Sequence, residues 1–275
     1  MNTELIDRMY KEFNISDLGF GAIHDKLGDA YEKFLTIILS SEENIKNFNN
    51  NYNDLSTEYS LFKDIMNKND ISNTNKIKKI ETTTNVPHRG TGGMPKTDVI
   101  ANVTFCDESQ KIIRISSKQS TVSKVAMAEF DVNTICKEME INNQRIKDLM
   151  LKHQKDGSAK NFTLLEKNEL KELLNPISRD FVRWVITGCR YENPTNVSFP
   201  TTMVKFELKK PKDRNDIHIE KGDFKFIKYY VYTIEEYINT IMLNKNGSKK
   251  SGGFGTGLSW TYATGSKNKK IQFKG

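Results

Sequence analysis

Two short runs of alternating residues, TDVIANVTFC and KIIRISSKQS, stand on either side of a polar reversal between residues 97 and 120. In the first, Val99, Ala101, Val103 and Phe105 form one apolar face, which leaves Asp98 on the other. In the second, Arg114, Ser116 and Lys118 are spaced by two and share a face. The runs predict strands at about 97–106 and 111–119, joined as an antiparallel hairpin. Asp98 meets Ser116 and Lys118 only if the register pairs positions of equal parity, for example 102 with 114. That register needs a loop of three or five residues around Asp107–Gln110, because a slip of one residue would turn the groups to opposite faces.

The remaining pattern supplies layers for such a hairpin. A short helix is expected at 3–13 and a longer one at about 25–47, with Leu27, Ala30, Tyr31, Phe34 and Ile38 on one face. The Asn-rich stretch 44–79 reads as a surface insertion with one modest helix near Tyr59–Met66. Residues 123–188 read as mainly helical, with a capping box at Thr163–Glu166 and a break at Pro176. Strands are expected at 202–210 and 224–232 around the polar turn Pro211–Gly222, then a helix at 233–243 with Thr233 as its N-cap. Strand-like LSWTYAT and IQFK close the chain. No repeat and no boundary is visible, so the expectation is one domain over 1–275, α/β (α+β) in class, with a catalytic core at about 25–145.

No apolar run approaches the roughly 20 residues of a membrane-spanning helix, and MNTELIDRMYKEF lacks the apolar stretch of a signal peptide. Cys106, Cys136 and Cys189 form no CxxC pair and read as reduced thiols, so a cytoplasmic location without membrane attachment is expected. The net charge is +7, and Lys245–Gly275 holds seven lysines and no acid, which leaves 35 basic and 35 acidic residues in the first 244. The whole surplus sits in the last 31 residues, an electrostatic footprint suited to a phosphate backbone.

Asp and Lys on neighbouring strands suit metal-assisted phosphodiester hydrolysis. The carboxylate binds Mg²⁺, a hard cation that prefers oxygen; the metal lowers the pKa of a bound water; the ammonium stabilises developing charge. Other chemistries lack support. Pro95 occupies the place where a P-loop needs Gly before its lysine, and GFGTGLS lacks the third glycine of a dinucleotide fingerprint. The four histidines have no ligand spacing, and no G-x-S-x-G is present. The C-terminal GFGTGLSWTYATGSKNKKIQFKG interleaves aromatics with Thr261, Thr264, Ser266, Lys267, Gln272 and Lys274, groups able to contact bases or phosphates.

The C-terminal block, together with GGMPKTD, AEFDVNTIC and KHQKDGSAKNFT, closely resembles the MspI-like Type II restriction endonucleases of the PD-(D/E)XK superfamily. The resemblance runs nearly end to end. It implies a restriction-endonuclease-like fold, a central mixed β-sheet flanked by helices, that cuts double-stranded DNA with Mg²⁺ at CCGG as C/CGG. It also implies a cognate DNA methyltransferase and a monomer or weak dimer. By position, Asp98 matches the metal-binding Asp and Lys118 the catalytic lysine. Ser116 falls where the superfamily has Glu or Asp and where MspI-like enzymes have Asn. Metal binding would then lean on Asp98 and the Ser117 carbonyl, with Glu32 or Glu129 as the source of a second carboxylate. Thr261, Thr264, Gln272 and Lys274 match base or backbone contacts, and the 120–124 stretch, including Ser123 and Lys124, should lie near DNA. The reading from another class is a non-catalytic, sequence-specific DNA-binding protein, favoured by the missing carboxylate at Ser116.

Overall fold

The computed structural model describes residue 12 and residues 20–52, 56–88, 94–191, 195–209, 226–263 and 265–275. The helix expected at 3–13 and the turn at 211–222 lie outside these residues, residue 12 and the strand at 226 onward apart. By packing, the chain forms two compact units, Met1–Ser123 with Pro194–Ile234, and Lys124–Asn193 with Glu235–Gly275. Each unit is built from two separated stretches, which explains why no boundary is visible along the sequence.

The first unit is a five-stranded mixed sheet with helices against it. Its strands are β1 (Ile77–Thr83), β2 (Val99–Phe105), β3 (Gln110–Ser120), β5 (Thr202–Leu208) and β6 (Phe226–Thr233), in the order β1-β2-β3-β5-β6. All neighbours are antiparallel except β3 and β5, which run parallel. The helices α1 (Phe20–Leu39), α2 (Glu42–Asn49) and α3 (Thr57–Lys68) belong to the same unit. The single helix expected at 25–47 is broken at Ser40–Ser41, where the Ser41 side chain accepts from the Asn44 N–H and starts α2. The Asn-rich stretch is not a surface insertion. Its apolar residues Ile45, Phe48, Tyr59, Leu61, Phe62, Ile65 and Met66 are buried in one core with Tyr31, Phe34, Val99, Ile115 and Phe206. The asparagines mask this core in the sequence: Asn50 and Asn69 cap these helices, and Asn44 is itself buried, donating to the Ile38 carbonyl at 3.0 Å.

The second unit combines α4 (Val132–Glu138), α5 (Gln144–Asp156), α6 (Leu164–Leu174), α7 (Ser178–Thr187) and α8 (Ile234–Met242) with a three-stranded sheet. That sheet has the order β4-β8-β7, from β4 (Ala126–Phe130), β7 (Ser259–Thr261) and β8 (Ile271–Lys274). The capping box opens α6 as expected: Thr163 Oγ1 accepts from the Glu166 N–H at 3.1 Å, and Glu166 Oε2 accepts from the Thr163 N–H at 2.8 Å. Pro176 sits in a 3₁₀ turn, Asn175–Ile177, between α6 and α7. β4 was not expected, since residues 123–188 read as helical; its five residues are strand because β8 pairs with them. The core of this unit is aromatic, with Trp260 packed against Phe181, Phe254, Phe273 and His153 at 5.1–5.7 Å between ring centres. Burial among these rings pushes the His153 imidazole down to about 4, so it is a neutral packing group. Among the described residues no helix is long and apolar enough to cross a membrane.

Candidate active site and nucleic-acid interface

The β2–β3 hairpin pairs Ile100 with Arg114 and Thr104 with Gln110, so five residues lie between the last paired positions. The parity is the one that brings Asp98 to the face of Ser116 and Lys118. The register is displaced by two from the 102–114 example: Asn102 faces Ile112. This displacement sets Asp98 opposite Ser116, with the Asp98 N–H donating to the Ile115 carbonyl at 2.8 Å. The approach to Asp98 is fixed from outside the hairpin, since the Lys96 and Thr97 N–H groups both donate to the Ser198 carbonyl, at 2.9 and 3.2 Å.

Asp98 Oδ2 accepts three hydrogen bonds, from the Ser117 N–H at 2.7 Å, Lys118 Nζ at 3.0 Å and Ser116 Oγ at 3.1 Å. Lys118 Nζ also donates to the Ser117 carbonyl at 2.8 Å. The carboxylate is thereby locked, while Oδ1 has no hydrogen bond among the described residues. The Asp98 and Lys118 side chains are 21% and 23% exposed, open enough for a substrate yet sheltered enough to strengthen charge interactions. Ser116 is fully buried, so its hydroxyl fills the strand face and orients Asp98.

Glu32, on α1, is the second acid of this cluster. Burial raises its carboxyl to about 7, and the Asp98 charge adds to the rise while Lys118 opposes it. Two carboxylates, one held from ionising by the other's charge and by lost hydration, form an oxygen-rich locus that a cation would relieve. Ser117 Oγ is also buried without a hydrogen bond among the described residues. No group of three or more His, Cys, Asp or Glu side chains able to hold a metal occurs among them.

Glu129 lies in the second unit, on β4, where its carboxylate accepts from the Ser266 hydroxyl. It pairs with Gln272, which pairs in turn with Thr261, so the three share one face of the small sheet. Lys274 and Ser259 lie on the same face one register step along, while Ile271 and Phe273 on the opposite face are fully buried. Three of the expected nucleic-acid contacts, Thr261, Gln272 and Lys274, are thus brought onto one polar, partly exposed surface. Lys267 is exposed in the turn before β8, 5.7 Å over the Tyr262 ring. Thr264 is outside the described residues. Lys124 is partly spent internally, donating to Ser259 Oγ at 2.8 Å and to the Gly257 carbonyl at 3.4 Å. Ser123 is exposed, and its carbonyl accepts from Lys205. Lys205, on β5, was missed: its sequence signal is only a lysine on the polar phase of an alternating run, and its pairing with Lys118 depends on a parallel crossover no local pattern reveals.

A family model described as restriction endonuclease MspI matches residues 11–275. The Type II restriction enzyme MspI of a Moraxella species is 33% identical over 278 residues, covering 100% of both chains. The Type II restriction enzyme BsuFI of Bacillus subtilis is 26% identical over 226 residues, which cover 80% of this chain and 50% of that one. A crystal structure of restriction endonuclease MspI in complex with its cognate DNA superimposes with a TM-score of 0.83, at 33% identity and full coverage of both chains.

Proposed function

This chain belongs to the MspI family of Type II restriction endonucleases, and we propose that it hydrolyses double-stranded DNA at the palindrome CCGG, cutting it as C/CGG, with chemistry at Asp98 and Lys118. The observation that carries the reading is the 3.0 Å pairing of Lys118 Nζ with an Asp98 carboxylate that retains an uncommitted oxygen. The donors present fit Mg²⁺: Asp98 Oδ1, Glu32 and the Ser117 carbonyl are oxygens, and a site with two carboxylates leaves room for phosphate and water. When bound, the metal would lower the pKa of water and neutralise charge on the phosphate.

The chain's own groups divide the remaining tasks. Ser116 and the Ser117 N–H hold the Asp98 carboxylate in one orientation, which spares the site reorganisation during reaction. Lys118 is close enough to Asp98 to keep its ammonium in place until the phosphodiester arrives; it then donates to the attacking water and to the phosphoryl oxygens. As the water oxygen bonds to phosphorus, the bond to the leaving sugar oxygen breaks; the attacking water gives up its proton to solvent or a phosphate oxygen, and the departing sugar oxygen takes one from solvent to leave as a hydroxyl. Ser116 contributes a hydroxyl where a carboxylate stands in much of the superfamily, and Glu32 supplies the missing charge from α1. Glu129 is assigned to the recognition face with Thr261, Gln272 and Lys274. Lys and Gln can donate to guanine O6 and N7 there, and Ser123, Lys124, Lys267 and Thr264 add contacts to the backbone or bases. Function in a cell requires a methyltransferase of the same specificity, and the protein acts as a monomer or weak dimer in the cytoplasm.

Substitution separates chemistry from binding. Lys118→Ala should abolish cutting, by roughly 10³-fold or more, while specific binding to a CCGG duplex in Ca²⁺ stays within a few-fold. Substantial residual cleavage by Lys118→Ala would remove this lysine from the mechanism.

A further inference from the structure

Lys118 has a second lysine beside it. β3 and β5 pair in parallel with Lys118 opposite Lys205, and β5 pairs with β6 with Lys205 opposite Tyr230. Direct partners in a ladder share a face, so Lys118, Lys205 and Tyr230 form one row across the sheet, about 4.8 Å from strand to strand. Lys205 is half-buried, and burial lowers its pKa while the Glu207 charge partly restores it.

An ammonium in that position is costly unless its donors are used. It has three N–H donors; one goes to the Ser123 carbonyl, and no other hydrogen bond forms among the described residues. Glu207, two residues along the same strand, is engaged elsewhere, accepting from Tyr230 Oη at 3.3 Å and pairing with Lys228 at 3.5 Å. Lys228 lies 5.0 Å over the Tyr230 ring, so the far end of the row is already charge-balanced. Lys205 therefore keeps two donors uncommitted among the described residues. Phosphates recur about every 3.4 Å of axis along each DNA strand, so a duplex with one phosphate at Lys118 has others within the reach of a long lysine side chain on the adjacent strand of the sheet.

We propose that Lys205 binds the DNA backbone at a phosphate adjoining the one held at Asp98 and Lys118, and with the same ammonium pins the turn after β3 that carries Ser123. This rests on the reading of Asp98 and Lys118 as the cleavage centre. A phosphate ligand would also supply a hydrogen-bonded anion to an ammonium that, among the described residues, donates only to a carbonyl.

Salt dependence of binding tests it without requiring turnover. Affinity for a CCGG duplex and for a scrambled duplex would be measured in Ca²⁺ from about 50 to 200 mM salt. Lys205→Ala should weaken both by about tenfold at the low end and reduce the slope of log K against log salt by about 1. Lys205→Arg should restore the slope. Lys205→Met, which keeps the aliphatic stem, replaces the alanine variant if that variant does not fold. A role confined to pinning the turn would leave the slope unchanged, and that result in a folded variant overturns the proposal. Cleavage by Lys118→Ala would move the cleavage centre but leave this slope to decide the backbone contact.

Discussion

Burial and the Asp98 charge place Glu32 at about 7, against 4.5 for an ordinary glutamate. A folded-state pKa above the unfolded one means that its stabilising contribution is complete below pH 4.5 and is lost as pH rises through 7. The full shift would correspond to about 3 kcal/mol; the side chain is only half-buried, and solvent screening brings the expectation to about 1–2 kcal/mol. Glu32→Gln should therefore be more stable than the parent at pH 8 in EDTA and indistinguishable from it at pH 4, read from urea midpoints. The same variant should lose divalent-cation affinity. Equal pH profiles for the two proteins would separate Glu32 from Asp98. Among the site residues, Asp98, Ser116 and Lys118 were legible because strand alternation converts spacing into facing. Glu32 could be named as an acid on an early helix, but its approach to Asp98 depends on how α1 packs on the sheet, which periodicity does not encode. Lys205 was invisible for a related reason, since residues 118 and 205 meet only through a parallel pairing.

At the scale of elements, the glycine-rich GGFGTG turn explains its composition in the fold. Gly253, Gly255 and Gly257 all have positive φ, at 56°, 81° and 77°, and a Cβ on Gly257 would lie 2.0 Å from the Ile241 carbonyl oxygen. The turn brings Phe254 and Trp260 into the aromatic core with His153, so it serves packing rather than nucleotide binding. Gly257→Ala should cost at least about 3 kcal/mol, from strain plus displaced backbone, and lower the thermal midpoint accordingly. A change below about 1 kcal/mol would mean that the turn relaxes freely. Helices with explicit start signals were readable, as the Thr163–Glu166 box illustrates. β4 was not, because AMAEF has no strand signature of its own and takes its conformation from β8. The Asn-rich stretch misled for the opposite reason: polar residues outnumber the apolar ones, such as Phe48 and Phe62, that carry its burial.

For the whole molecule, charge is shared unequally between the two units. The first carries Asp98 and Lys118 on its sheet and Glu32 on α1, and it is close to neutral, with 23 basic and 22 acidic residues. The second contains the lysine-rich C-terminus that holds the entire surplus of +7. Some of those lysines are structural: Lys249 donates to Asn175 Oδ1 and Ser178 Oγ at 2.6 and 2.8 Å, and Lys250 to the Thr240 carbonyl at 2.7 Å. Lys267, Lys269 and Lys270 are exposed and Lys274 lies on the sheet face, and the proposed function gives these four to the duplex. The central claim joins these halves, as cutting at Asp98 and Lys118 directed by reading on the β4-β8-β7 face. Sequencing the ends of a plasmid digested with Mg²⁺, in parallel with Lys118→Ala, tests it most directly. The account predicts breaks at CCGG alone, between the first and second cytosines on each strand, and no breaks with the variant. Ends scattered over other sequences, or the same ends from the Lys118→Ala protein, would contradict it.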